Sequence, residues 1–117
     1  MGRSADDSGR LRNHDGREEK EHLTRHCNWA GADIGGTSAV GLFPESHSGS
    51  RALDMAGNVW EWCFDWFEDR EKYRVLRGGS WALNNPVYLH AAYRFDGHPG
   101  YRVHYIGFRV VCVGELR

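Results

Sequence analysis

Asn58–Phe67 reads NVWEWCFDWF. Trp60, Trp62, Phe64 and Trp66 recur at every second residue, with Val59, Glu61, Cys63 and Asp65 between them. That period belongs to a strand, whose side chains alternate between two faces. The pattern predicts a strand over 58–67 with its aromatic face in the core and Glu61 and Asp65 on the other side. Glu68–Lys72 then reads as a charged turn, Tyr73–Arg77 as a second strand, and Ile106–Val113 (IGFRVVCV) as a final β-branched strand. Gly78-Gly79 demands permissive dihedrals or a close backbone approach. Residues 82–105 lack clear periodicity and form a long excursion, the kind of segment that usually carries function in a small domain.

Upstream of that strand, residues 27–50 are loop-rich, with Gly31, Gly35, Gly36, Gly41 and Pro44 between short apolar pieces. Residues 1–21 hold one large aliphatic side chain, Leu11. So little apolar area does not offset the entropy of ordering a chain. Residues 1–26 therefore read as a polar tail, or as a short helix around Arg17–His26 that docks on something else, and residues 27–117 as the domain proper.

The chain has 117 residues, enough for one domain, and five Trp supply core area that aliphatics would otherwise provide. A net charge of −1 gives no basis for electrostatic capture of nucleic acid or of an anionic membrane. No apolar run approaches the roughly 20 residues of a membrane span, and Met1–Arg10 has no apolar core of a secretory signal. The cytoplasm is the default compartment on these grounds. Three Cys (27, 63 and 112) without CxxC spacing fit neither a disulfide framework nor a zinc site, and read as reduced, partly buried thiols. There is no GxSxG elbow and no phosphate loop.

Three segments in order, Leu53–Trp62 (LDMAGNVWEW), Arg74–Trp81 (RVLRGGSW) and Gly107–Val111 (GFRVV), resemble formylglycine-generating enzyme and its relatives. Cys27-Asn28-Trp29 and Gly36–Pro44 (GTSAVGLFP) are similar to the same family, so the resemblance spans about residues 27–113. It implies an α+β, C-type-lectin-like fold of short twisted antiparallel strands with extensive ordered loops. Little of the family's long N-terminal half is visible, so the fold is expected to be N-terminally truncated. The terminal strands of that fold pair with each other, which leaves the last strand an edge; either residues 1–26, a second copy or a partner chain completes the sheet, or the chain is a naturally minimal version of the fold.

The resemblance also bears on activity. The family's oxidase uses two Cys between RGGSW and GFR as reactive thiols and copper ligands. Counted back from Gly107-Phe108, those positions fall on Pro86 and Ala91, so neither copper nor formylglycine-generating activity is expected. Cys63 and Cys112 read as core thiols of strands. A related branch holds iron with a His cluster. Here His22 and His26, with Cys27 adjacent, are the nearest equivalent, and a solvated helix or tail accounts for them better.

Residues 82–106 contain no Lys, Glu, Gln, Met or Trp, although the other 92 residues contain 17 residues of these five types. The segment resembles the variable region of retroelement-diversified proteins, in which Asn codons (AAC) are randomised to NNC, a set that cannot encode those five residues. By that likeness the diversified positions are 82–85, 87–90, 95–98, 100–101 and 103–105. Ala92, Tyr93, Arg94, Pro99 and Arg102 belong to the frame. The candidate ligand contacts are Ala82, Leu83, Asn84 and Asn85, then Tyr88 and His90, then Phe95, Asp96 and His98, and finally Tyr101, Val103, His104 and Tyr105. Tyr and Phe offer rigid contact area while Asn and His offer adaptable hydrogen bonds, the combination paratopes use. Tyr101, His104 and Tyr105, near the end of the excursion, lead. An ordinary family loop with ordinary packing is the competing account.

The family's equivalent of DMAGNVWE holds calcium. Carried over by position, the ligands are the carboxylates of Asp54 and Glu61 and the carbonyls of Gly57 and Val59, hard oxygens suited to Ca²⁺. The alternative is that Asp54 caps a turn and Glu61 pairs with an Arg. Arg77 and Arg109 are expected to fix loops through ion pairs. The leading expectation for the whole chain is a non-enzymatic ligand-binding variable protein whose partner is a protein or surface ligand. The alternatives are a degenerate or accessory domain of the enzyme family and, third, a sugar-binding lectin.

Overall fold

The computed structural model describes residues 16–44, 51–68 and 71–114. Helix α1 spans Arg17–His26, where the sequence offered a short helix or a tail. Glu18 and Glu19 lie in its first turn and Arg25 and His26 in its last, so the charges complement the helix dipole. The Cys27 N–H closes the helix by donating to the Leu23 carbonyl at 2.8 Å. No residue of α1 is itself buried, but Leu23 packs against Cys27, Trp29 and Leu89. The helix therefore docks on its own chain.

Four strands form one sheet in the order β3-β2-β1-β4. They are β1 (Trp60–Trp66), β2 (Arg74–Arg77), β3 (Phe95–Gly97) and β4 (Ile106–Gly107). β1–β2 and β2–β3 pair antiparallel, and β4 lies parallel to β1 at Trp60↔Ile106 and Glu61↔Gly107. The fully buried centre is β2, with Val75 at 0% and Leu76 at 1% exposure. Trp60, Trp29, Cys27 and Leu89 complete the buried apolar set.

The alternation of β1 is only half realised. β1 pairs Trp62 with Leu76 and then Trp66 with Arg74, with an irregular register between. Such a bulge breaks the two-residue period, so the face a side chain takes beyond it no longer follows from its position. Trp60 is buried, Trp62 and Trp66 are half-buried, and Phe64, expected in the core, is 89% exposed. The Arg74 guanidinium lies 3.7 Å from the Trp66 ring centroid and 5.6 Å from that of Phe64, and it also donates to the Phe64 carbonyl.

The final strand is far shorter than its β-branched composition suggested. Only Ile106 and Gly107 pair. Phe108, Val110, Val111 and Val113 are 73–84% exposed, and Cys112, read as a core thiol of a strand, is exposed outside any strand. Composition gives a residue strand propensity, but pairing requires a partner edge, and the chain leaves β1 after Gly107. Strand β3 has no sequence signature, because it is three residues long and ends in Gly97.

Candidate ligand-binding surface

The loops around the sheet are fixed by backbone turns and buried polar side chains. The turn before β1 puts Asp54, Gly57 and Asn58 at positive φ (58°, 85° and 71°). The Gly57 N–H donates to the Gly78 carbonyl at 2.7 Å, and the Asn58 N–H to the Asn28 carbonyl at 2.8 Å. Asn58 Oδ1 accepts from the Ser38 N–H at 3.0 Å, and Asn28 Nδ2 donates to the Gly36 carbonyl at 3.0 Å. Two asparagines thus hold the loop after α1 against the start of β1. The RGGSW stretch follows β2. There the Trp81 N–H donates to the Asn58 carbonyl at 2.9 Å and its indole N–H to the His104 carbonyl at 3.2 Å. The Trp60 N–H donates to the Tyr105 carbonyl at 2.8 Å. The excursion 82–105 is therefore pinned at its far end to β1 and to Trp81.

None of the thirteen candidate contacts is buried. Ala82, Asn84, Asn85, His90, Phe95, His98, Tyr101, His104 and Tyr105 are exposed, and Leu83, Tyr88, Asp96 and Val103 are half-buried. Two of the proposed diversified positions differ. Leu89 is 6% exposed and belongs to the core with Cys27 and Trp29. Gly97 is buried, and a Cβ there would meet Leu76 Cδ1 at 2.8 Å. Both are scaffold, which no local pattern in the sequence reveals.

The candidates do not form one continuous patch of like roles. Tyr88 meets Trp60 edge-on and Phe95 lies tilted against it, with centroids at 6.5 and 5.2 Å, and frame residue Tyr93 joins them. Their rings brace the sheet as well as facing outward. Asn85 caps the 3-10 turn Pro86–Leu89 by accepting from the Val87 N–H at 3.1 Å. The Leu83 carbonyl accepts from the Ala30 N–H at 3.0 Å. His90 faces Glu19 of α1 at 3.3 Å. The third group is different. Tyr101, Val103 and His104 share a groove of about 580 Å³ with Trp62, Pro99, Arg102 and Ile106–Phe108, and His98 lies 6.3 Å from Tyr101. Trp62 belongs to this groove although sequence reasoning assigned it to the core. The missed signal was its place beside the point where β4 ends.

The acidic turn is occupied by an arginine. Arg109 donates through Nε and one Nη to both oxygens of Glu61 (2.9 and 2.8 Å), and also to the carbonyls of Leu53 (3.0 Å) and Asp54 (2.8 Å). Its bond to Glu61 holds the guanidinium pKa above the ordinary arginine range. Asp54 is buried at 7% exposure, with Oδ2 accepting from the Gly41 N–H at 2.9 Å. Arg109 thus engages both oxygens of Glu61, and the Gly41 N–H engages one oxygen of Asp54. Of the four residues expected as calcium ligands, Glu61 is thus paired with an arginine, the alternative the sequence offered for it. Arg77 fixes a loop by another route, donating to the Ala91 carbonyl at 2.9 Å.

Burial pushes the Cys27 thiol up to about 11, and Cys63 is raised by partial burial, offset by Arg77. Cys27 sits in the core, facing away from a ligand role with His22 and His26. Those two rings stack at 4.1 Å, and His26 Nδ1 bonds the His22 carbonyl at 2.8 Å. Among the described residues no group of three or more His, Cys, Asp or Glu is placed to hold a metal, and no helix is long and apolar enough to cross a membrane.

Comparison with known proteins agrees with this architecture. Variable protein 1 of Treponema denticola superposes with a TM-score of 0.63 at 28% identity, over 75% of this chain and 36% of that one. Serine/threonine-protein kinase Pkn1 of Chlamydia trachomatis is 36% identical over 99 residues, 69% of this chain and 15% of the kinase. Hercynine oxygenase of Mycobacterium tuberculosis is 34% identical over 100 residues, 68% of this chain and 23% of the oxygenase. The chain thus spans less than a quarter of these two relatives, and the relatives include both enzymes and a variable protein. The family model of the sulfatase-modifying factor enzyme 1-like domain matches residues 6–113, beginning upstream of the motifs quoted above. With its motifs, its sheet and its relatives in agreement, the chain belongs to the sulfatase-modifying factor enzyme 1-like (formylglycine-generating-enzyme-like) domain family, on a C-type-lectin-like fold.

Proposed function

We propose that this chain is a non-enzymatic ligand-binding protein that presents variable side chains of the 82–105 excursion on a C-type-lectin-like scaffold. The observation that carries this reading is the absence of burial at all thirteen candidate contacts, with three of them lining the groove over Trp62. Residues in such positions change at little cost to the fold, which is what diversification requires. Trp62, Tyr101 and Phe108 supply apolar wall, and Arg102 and His104 supply charge and hydrogen bonds. That mixture suits a protein or other surface ligand. The likeness to a variable protein supports the reading. The exposed apolar side chains of 108–113 fit a second copy or a partner chain that extends the sheet beyond β4.

The test is the nucleotide sequence of codons 82–105 together with the flanking DNA. Diversified codons all ending in C, and a nearby copy carrying AAC at those sites beside a reverse transcriptase, are expected. Free third positions and no copy would remove the reading. In that case the alternative, an accessory or degenerate domain of the enzyme family, takes its place, which the similarity to hercynine oxygenase favours. Binding needs neither Cys63 nor Cys112, so a loss of function without unfolding when both are replaced with Ser would count against the binding reading.

A further inference from the structure

The turn that leads into β1 converges several oxygens on one point. Both carboxylate oxygens of Glu61 and the carbonyls of Leu53 and Asp54 face inward. Such a shell attracts a hard divalent cation. The group at that point is the guanidinium of Arg109, which donates four hydrogen bonds to it between 2.8 and 3.0 Å. We infer that Arg109 is the resident cation of this turn, so that the scaffold and the groove beside it keep their shape without calcium.

The geometry suits the guanidinium. Its planar fork matches a carboxylate in bidentate fashion and has further donors for two carbonyls, a combination a spherical ion does not need. Calcium takes about six to eight oxygens at about 2.3–2.6 Å. A calcium ion entering this turn competes with Arg109 for both oxygens of Glu61 and with the Gly41 N–H for Asp54 Oδ2. The clamp also has a consequence for the candidate surface. Arg109 follows directly on Ile106, Gly107 and Phe108, which form one wall of the groove. By tying residue 109 to residues 53, 54 and 61, it sets where that wall stands against β1.

The test is the thermal unfolding midpoint of the purified chain in excess CaCl₂ and in excess EGTA, for the wild type and for Arg109→Met. The expected result is a wild-type midpoint that is the same in both buffers, and a variant midpoint several degrees lower. A wild-type midpoint raised several degrees by calcium would overturn the inference, and so would an Arg109→Met protein as stable as the wild type. If Arg109→Met does not fold, Arg109→Lys serves. Lysine keeps the charge and loses the fork, so a midpoint below wild type is expected, and one equal to wild type overturns the assignment.

Discussion

The indole N–H of Trp81 reaches across 23 positions of sequence to donate to the carbonyl of His104 at 3.2 Å. Its backbone N–H donates to Asn58 at the entry to β1. One residue of the RGGSW stretch therefore joins the turn before β1 to the end of the 82–105 excursion. Trp81→Phe keeps an aromatic ring and removes the donor. The His104 carbonyl lies in an exposed setting where water can replace the bond, so the loss of global stability is about 1 kcal/mol. The local effect is larger. Backbone amides of 103–106 should exchange with deuterium several times faster than in the wild type, and unchanged exchange there would show that Trp81 does not anchor the groove.

Gly57 offers a sharper test of the scaffold. Its φ is +85°, and a Cβ there would lie 2.6 Å from the Asn28 carbonyl oxygen, a backbone atom with little room to move. Gly35 has a similar φ of +82° with nothing within 4 Å of its notional Cβ. Gly35→Ala should cost only the dihedral term, about 1 kcal/mol. Gly57→Ala carries the same term plus the clash and should cost at least about 2 kcal/mol more. Denaturant titration of the two variants compares them directly, and equal losses would mean that Asn28 does not confine residue 57.

The start of β1 and the family were legible in the sequence for physical reasons, and the α1 helix was one of two readings of its segment. Trp60 lies before the register shift, where alternation still sets the faces, and Arg17–His26 carries its charges in the order a helix dipole favours. Phe64 was not legible, because a bulge is a property of two strands and cannot be read from one. Phe108, Val110 and Val111 look like core in any propensity scale, yet they extend past the last partner residue on β1. The role of Arg109 was half visible. An ion pair was expected, but nothing in the spacing says that its partner is Glu61, 48 positions away. Leu89 and Gly97 show the same limit inside the excursion, since their burial comes from Cys27, Trp29 and Leu76 in distant segments.

The proposed division of 82–105 into scaffold and variable side chains can be measured residue by residue. Leu89 packs with Cys27 and Trp29, and Leu89→Ala should cost about 2–5 kcal/mol. Tyr101 is 57% exposed, and Tyr101→Ala or Tyr101→Asp should change stability by no more than about 0.5 kcal/mol. Midpoints from chemical denaturation decide. A Tyr101 variant that unfolds as readily as Leu89→Ala would make the groove part of the core and remove the basis for diversity there.

Cys27 gives the protein a pH dependence whose sign is fixed. Burial without a charged partner raises its thiol from 9.0 to about 11, so between those values the unfolded chain releases a proton that the folded chain retains. The stabilising contribution of the neutral thiol is fully present below pH 9, and it is lost as pH rises toward the folded value. Other groups titrate in this range, so the comparison is made against Cys27→Ala, which removes the thiol and adds a cavity cost that does not vary with pH. The stability difference between wild type and variant should be constant below pH 9 and shrink steadily up to pH 11. Parallel profiles across that window would mean that the thiol ionises as easily in the folded protein as in the unfolded chain, and that it is not sealed under Leu23, Trp29 and Leu89.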